Sequence, residues 1–294
     1  MNIEKIKKQK SIQELLEFGI INIDKSSGPT SFNVSEFVKK RLNLRKTSHL
    51  GTLDPKVTGV LPVALNRACK LTGYFLGEDK EYVGIMRLHE EVSLDTVTKV
   101  IEEKFLGTIT QLPPVKSRVK REEREREIIS FVLLEKKGKD FLFQVTCQGG
   151  TYIRKLVDDL GKELSIGAHM LELRRVRAGI FKEEDEIYPV VNLYDFEKAV
   201  EEYEKGNEEL LRKIIIPGEI VSEVYSPVFI SPDNVKNILT GKSIFYRDLI
   251  DKPKIEKGKI ISIFLDSKFI GMYKVTNEAE TFARPEFVMQ PMKG

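Results

Sequence analysis

Cysteine is nearly absent, with two residues, Cys69 and Cys147, in 294. They lie far apart and lack the close pairing of a metal or redox motif, which argues against a disulfide framework and for a reducing, cytoplasmic setting. Histidine is also scarce, at three residues. His89 and His169 are not spaced as ligands with any cysteine or carboxylate cluster, so no metal is expected. No apolar run approaches the roughly 18 residues of a membrane span. The N-terminal M-N-I-E-K-I-K-K-Q-K is charged, and no apolar stretch follows it, so no signal peptide is expected. Neither charge sign dominates: the net charge is +3. Any nucleic-acid footprint must therefore be local.

Hydrophobic residues make up 41% and charged residues 32%, enough for one large domain and a small one. Residues 1–18 read as a polar lead in which Ile12, Leu15 and Leu16 can make one helical turn. Alternation and short apolar runs predict strands over 19–23, 60–65, 81–88, 128–134, 141–147 and 171–180. Helical spacing predicts helices over 31–44, 67–76, 96–105, 152–164 and 191–203. In the first of these, Phe32, Val34, Phe37, Val38 and Leu42 share one side. Basic residues Lys39, Lys40, Arg41, Arg45 and Lys46 crowd its end, either to complement the helix C-terminus or to meet phosphate. Strands and helices mix without strict alternation, so the fold class is α+β: a mixed, largely antiparallel sheet with surrounding helices. From about Pro217 the texture changes to short strands between Gly and Pro turns, around a helix at 233–239. The expected domains are 19–216 and 217–294, preceded by the 1–18 lead.

The stretch from His49 to Leu65 concentrates the chemistry. It places one carboxylate, Asp54, in a turn-rich loop punctuated by Gly51, Pro55 and Gly59, ahead of a buried strand. Reactive groups often sit on such loops, but Asp-Pro is also a common turn starter, and the residues alone leave both readings open. Arg154 poses a second question. It lies in the first turn of the 152–164 helix, where the macrodipole favours anions, and off the apolar stripe of Ile153, Leu156, Val157, Leu160 and Leu164. A cation there answers a nearby anion or is simply exposed. Residues 112–126 carry a basic run that includes Lys116, Lys120 and Arg121, either a solvated loop or a phosphate contact.

Five stretches in order resemble the pseudouridine synthases of the TruB family. They are I-N-I-D-K-S-S-G-P-T-S-F-N-V from Ile21, the G-T-L-D-P loop with T-G-V-L-P, K-E-Y-V-G-I-M-R-L-H from Lys80, G-T-Y-I-R within 147–160, and G-A-H-M-L-E-L-R-R-V-R-A-G-I-F from Gly167. The M-R-L-H and G-A-H-M wording is similar to the archaeal and eukaryotic branch, and 217–294 resembles a PUA domain, a small RNA-binding β-barrel on which the resemblance implies that the 1–18 lead packs. The resemblance implies that Asp54 is the nucleophile and that Arg154 pairs with it. Tyr82 would stack on the target base near the departing proton, and Leu173 would floor the uracil pocket. His49 would contact the extruded base, Lys25 would support the loop from behind, and 112–126 would be a loop closing on RNA, with Arg118 departing from the family wording. The implied reaction converts uridine to pseudouridine with no redox step, so no cofactor is expected. The implied partners are H/ACA guide RNA, rRNA and tRNA substrates, two small H/ACA core proteins and a kink-turn-binding ribosomal-type protein. Competing readings are a free-standing tRNA synthase, a non-catalytic RNA-binding scaffold and an acid-dependent hydrolase. The last lacks a second carboxylate at a motif position.

Overall fold

A computed structural model describes residues 1–113 and 120–290. The expectations for Lys116 and Arg118 lie outside the described residues. The chain divides into two compact units, residues 12–216 and residues 1–11 together with 217–294.

The larger unit is built on a mixed sheet. Its main path runs through Val191–Asn192, Gly19–Lys25, Thr58–Leu65, Ala168–Ala178, Lys80–Leu88, Asp140–Cys147, Arg124–Lys137 and Gly107–Gln111. Two pairs on this path are parallel, Gly19–Lys25 with Val191–Asn192 and Thr58–Leu65 with Ala168–Ala178. The others are antiparallel. This is the mixed, largely antiparallel sheet that the pattern predicts. Asp140–Cys147 shows why: its burial alternates residue by residue, with Phe141, Phe143, Val145 and Cys147 inward, as a one-sided strand requires. Helix Ile153–Glu163 covers that inward face with Ile153, Leu156, Val157 and Leu160, spaced for one side of a 3.6-residue turn.

Helix Leu94–Lys104 starts two residues earlier than its apolar spacing suggests, because the Ser93 side chain accepts from the Thr96 amide and caps it. Helix Ser31–Arg41 begins in a capping box formed by Thr30 and Asn33. Its buried face is Ser31, Val34, Ser35 and Val38. Phe32, expected inward, is 62% exposed: one residue past Ser31 it is turned about 100° from that face. The basic end of this helix meets carboxylates. Lys39 pairs with Glu36 at 3.2 Å, Arg41 with Glu204 at 3.5 Å, and Arg45 with Glu17 at 2.5 Å.

In the other unit, strands Pro227–Phe229, Ile260–Leu265, Lys268–Glu278, Thr281–Val288 and Ile244–Phe245 form a five-stranded sheet in that order. Thr281–Val288 is easily missed in the sequence because Pro285 interrupts it. The proline faces Tyr273, next to a register shift between Met272 and Tyr273, the irregular kind of position where a strand tolerates a missing donor. The lead forms two helices rather than one turn. Ile3–Gln9, capped by Asn2, buries Ile3 and Ile6, and Lys10 reaches the buried Glu219 carboxylate at 2.6 Å. Ile12–Glu17 places Ile12 and Leu15 in the core of the larger unit.

Candidate active site

The loop from Gly51 to Val60 is held from three directions by the side chains beneath it. Lys25, fully buried at the end of its strand, donates to the carbonyls of Ser26 at 3.0 Å, Pro55 at 2.9 Å and Val57 at 2.8 Å. Burial pushes the Lys25 ammonium below its ordinary pKa, and the nearby Asp54 carboxylate opposes that shift. Ser31, at the start of its helix, accepts from the Leu53 amide at 2.8 Å and donates to the Leu53 carbonyl at 3.0 Å. Arg175 donates to the carbonyls of Gly51 at 3.0 Å and Val60 at 2.8 Å. A turn from the Val57 amide to the Asp54 carbonyl, 3.0 Å, closes the tip. Gly59 lets the loop rejoin the sheet. Its φ is +101°, and a Cβ there would lie 2.2 Å from the Arg175 carbonyl, so only glycine fits.

The result is an exposed carboxylate on a fixed backbone. Arg154 Nη1 stands 3.2 Å from Asp54 Oδ2, so the cation at the helix start has its anion. Helix Ile153–Glu163 has no acidic residue in its first turn and no side-chain cap, which leaves Asp54 as the acid that Arg154 answers. The two side chains are 68% and 56% exposed, so the pair adds only about 0–1 kcal/mol to stability.

Tyr82 and Leu173 line the sheet beside the loop. Tyr82 lies opposite Arg175, and Gly84 opposite Leu173, in the antiparallel pairing of Lys80–Leu88 with Ala168–Ala178. All four are buried on the same face. Burial raises the Tyr82 phenol, and the Arg175 charge and hydrogen bond pull it back. His49 is half-buried, with Nε2 3.1 Å from Thr52 Oγ1. Burial and then Arg175 lower its pKa, so it is neutral at pH 7. Lys120 pairs with Glu122 at 2.7 Å, and Arg121 is exposed.

Sequence reasoning overlooks three members of this assembly. Ser31 lies inside a quoted motif, but its role needs the fold. Lys80 is buried, with its ammonium against the carbonyls of Phe75, Leu76 and Glu78. Burial, with Arg175 adding to it, lowers its pKa to about 8. Arg175 gives one signal: it sits two residues after Leu173 in a strand, hence on the same inward face. His89 and His169 meet, Nε2 to Nδ1 at 3.1 Å, although they are 80 residues apart in the chain.

Comparison with known proteins agrees with this geometry. Residues 39–153 match the profile of the TruB family pseudouridylate synthase N-terminal domain, and residues 154–222 that of the tRNA pseudouridylate synthase B C-terminal domain. The chain is 44% identical over 258 residues to the "Probable tRNA pseudouridine synthase B" of Methanocaldococcus jannaschii, covering 87% of this chain and 75% of that one. It is 42% identical over 255 residues to the protein of that designation from Nanoarchaeum equitans, covering 86% and 71%. Among solved structures it is similar to a chain of a Cbf5-Nop10-Gar1 complex, with a TM-score of 0.87 and 38% identity over 97% of this chain and 89% of that one. It is also similar to a chain of an H/ACA RNP bound to a substrate RNA containing 2'-deoxyuridine, with a TM-score of 0.86 and 36% identity over 97% and 89%. Identity at this level over most of both chains means that the chain belongs to the TruB family and is a pseudouridine synthase, an isomerase.

Proposed function

We propose that the protein is the catalytic subunit of a guide-directed ribonucleoprotein of the H/ACA kind, isomerising chosen uridines in rRNA, with Asp54 as the nucleophile. The observation that carries the reading is the exposed Asp54–Arg154 pair on a loop stitched down by Lys25, Ser31 and Arg175. In the reaction the N1–C1′ bond of uridine breaks and a C5–C1′ bond forms. The proton on C5 leaves and N1 gains one, so the product is an isomer. A carboxylate fixed on a braced loop can hold one fragment covalently while the other turns. Arg154 aims Asp54. Tyr82 stacks on the base and stands near the C5 proton, and Leu173 supplies the pocket floor. A stacked uridine must first be flipped out, at a cost of a few kcal/mol, and stacking on a tyrosine returns about 1–3 kcal/mol. His49 contacts the extruded base. Lys116, Lys120 and Arg121 meet phosphates, and Lys25 braces the loop.

Residues 19–216, with helix Ile12–Glu17 in their core, are then the catalytic domain, and 217–294, with residues 1–11 of the lead beside it in one compact unit, a PUA domain that grips RNA. The solved relatives are chains of complexes with Nop10, with Gar1 and with RNA, which supports a guide RNA and two small core proteins as partners here. A kink-turn-binding ribosomal-type protein completes the proposed set, and the protein works in the cytoplasm. A second reading, a free-standing synthase acting on the tRNA T-loop, is favoured by the designation of the curated relatives. Reconstitution with guide RNA and the small proteins, followed by pseudouridine mapping, separates the two. Modification of a guide-paired rRNA uridine only when all components are present supports the first. Full tRNA modification by the protein alone, with none on rRNA, supports the second.

A further inference from the structure

Arg175 is among the largest fully buried side chains of the protein, and among the described residues no carboxylate pairs with it. A buried cation without a counter-charge costs several kcal/mol, and a methionine or leucine would pack at that strand position without the cost. A stabilising role therefore does not account for it. Its partners do. A guanidinium presents five donors in a rigid planar fork and accepts nothing. Here the fork donates to two carbonyls on one side of the site, and the side chain stands against a tyrosine on the other. Nε donates to the Val60 carbonyl at 2.8 Å and Nη2 to the Gly51 carbonyl at 3.0 Å, the two ends of the segment that carries Asp54. Tyr82 lies directly across the strand pair from Arg175, on the same buried face.

The Gly51 turn is built around this contact. A Cβ at Gly51 would stand 3.2 Å from Arg175 Nη1 and 3.6 Å from Lys80 Cε, so two buried cations lie directly under the turn. Lys80 spends its ammonium on Phe75, Leu76 and Glu78, which leaves the loop to Arg175.

We propose that Arg175 is the positioning residue of the site: one side chain, hydrogen-bonded to the Asp54 loop and set against Tyr82 across the strand pair, fixes the two relative to each other, so that nucleophile and base-stacking group act at a set separation. This rests on the proposed roles of Asp54 and Tyr82. It predicts that loss of Arg175 acts on turnover and not on RNA affinity, because Arg175 is out of reach of the RNA.

The test uses the full-length protein on an RNA that it modifies, with single-turnover pseudouridine formation, RNA affinity and thermal unfolding measured for Arg175→Lys, Arg175→Met, Tyr82→Phe, the Arg175→Lys/Tyr82→Phe double variant and Asp54→Asn. The Arg175 variants should fold, with Tm lowered by no more than about 10 °C, and bind RNA within about threefold of wild type. Turnover should fall about a hundredfold in Arg175→Met, the scale of a small misplacement of reacting groups, and less in Arg175→Lys. The double variant should be no slower than the slower single variant, since the two residues act through one contact. Turnover of Arg175→Met within about threefold of wild type overturns the proposal, as do additive losses in the double variant. Failure of both Arg175 variants to fold also overturns it, because Arg175 then braces the core rather than the site. If Asp54→Asn stays active, the reading of Asp54 has failed. If it is inactive while Arg175→Met is active, only the inference about Arg175 has.

Discussion

At the scale of single residues, two cations show what sequence can and cannot disclose. Arg154 is legible because a helix start disfavours a cation, and the apolar stripe leaves it unexplained; its answer, Asp54, lies 3.2 Å away. Arg154→Ala should leave stability within about 1 kcal/mol of wild type, because the pair is exposed, and should slow single-turnover catalysis severely. Arg154→Lys should recover part of the rate, keeping charge without the planar fork. In a double-mutant cycle with Asp54→Glu the losses should not add, and simple additivity would remove Arg154 from the pair. Lys80 is illegible, since a lysine opening a strand looks like surface, yet burial holds its pKa to about 8 against an ordinary 10.5. Between those values the unfolded chain carries more protons than the native one, so stability rises with pH. The native thiol of Cys147, pushed up to about 11 by burial from 9.0, works in the opposite sense above pH 9. The clean window is therefore pH 8 to 9, where denaturant unfolding should show a gain of about 1 kcal/mol that Lys80→Met abolishes. A flat or falling wild-type profile there would mean that Lys80 is not held neutral.

At the scale of elements, the long periodic segments read correctly, and their ends did not. Ile153–Glu163 and Asp140–Cys147 follow from apolar spacing alone, because each buries one face. Ends depend on caps and partners, which explains why Ser93 starts a helix early and why Pro285 hides a strand beside a register shift. The parallel junction of Thr58–Leu65 with Ala168–Ala178 cannot be seen from either strand, since it brings together residues more than a hundred positions apart. Gly59 marks it. Gly59→Ala should destabilise the protein by more than about 1 kcal/mol, from the positive φ together with the clash against the Arg175 backbone. It should also abolish turnover by displacing the Asp54 loop. Wild-type activity in this variant would show that the junction does not set the loop.

At the scale of the whole molecule, the change of texture near Pro217 was readable, because short strands between Gly and Pro turns differ from the preceding α+β pattern. The association of residues 1–11 with 217–294 was not readable in detail, since contacts such as the ion pair of Lys10 with Glu219 join residues 209 positions apart. If the second unit grips RNA by its phosphates, removing 1–11 and 217–294 together should lower RNA affinity and flatten its dependence on salt. Unchanged affinity and slope would assign that unit another role. The account as a whole turns on one carboxylate, and the most direct measurement is single-turnover pseudouridine formation by Asp54→Asn beside wild type, with RNA affinity determined in parallel. The amide keeps the shape of the side chain but cannot form the covalent adduct. The account predicts no detectable pseudouridine with RNA affinity retained, whereas turnover above about a tenth of wild type would contradict it.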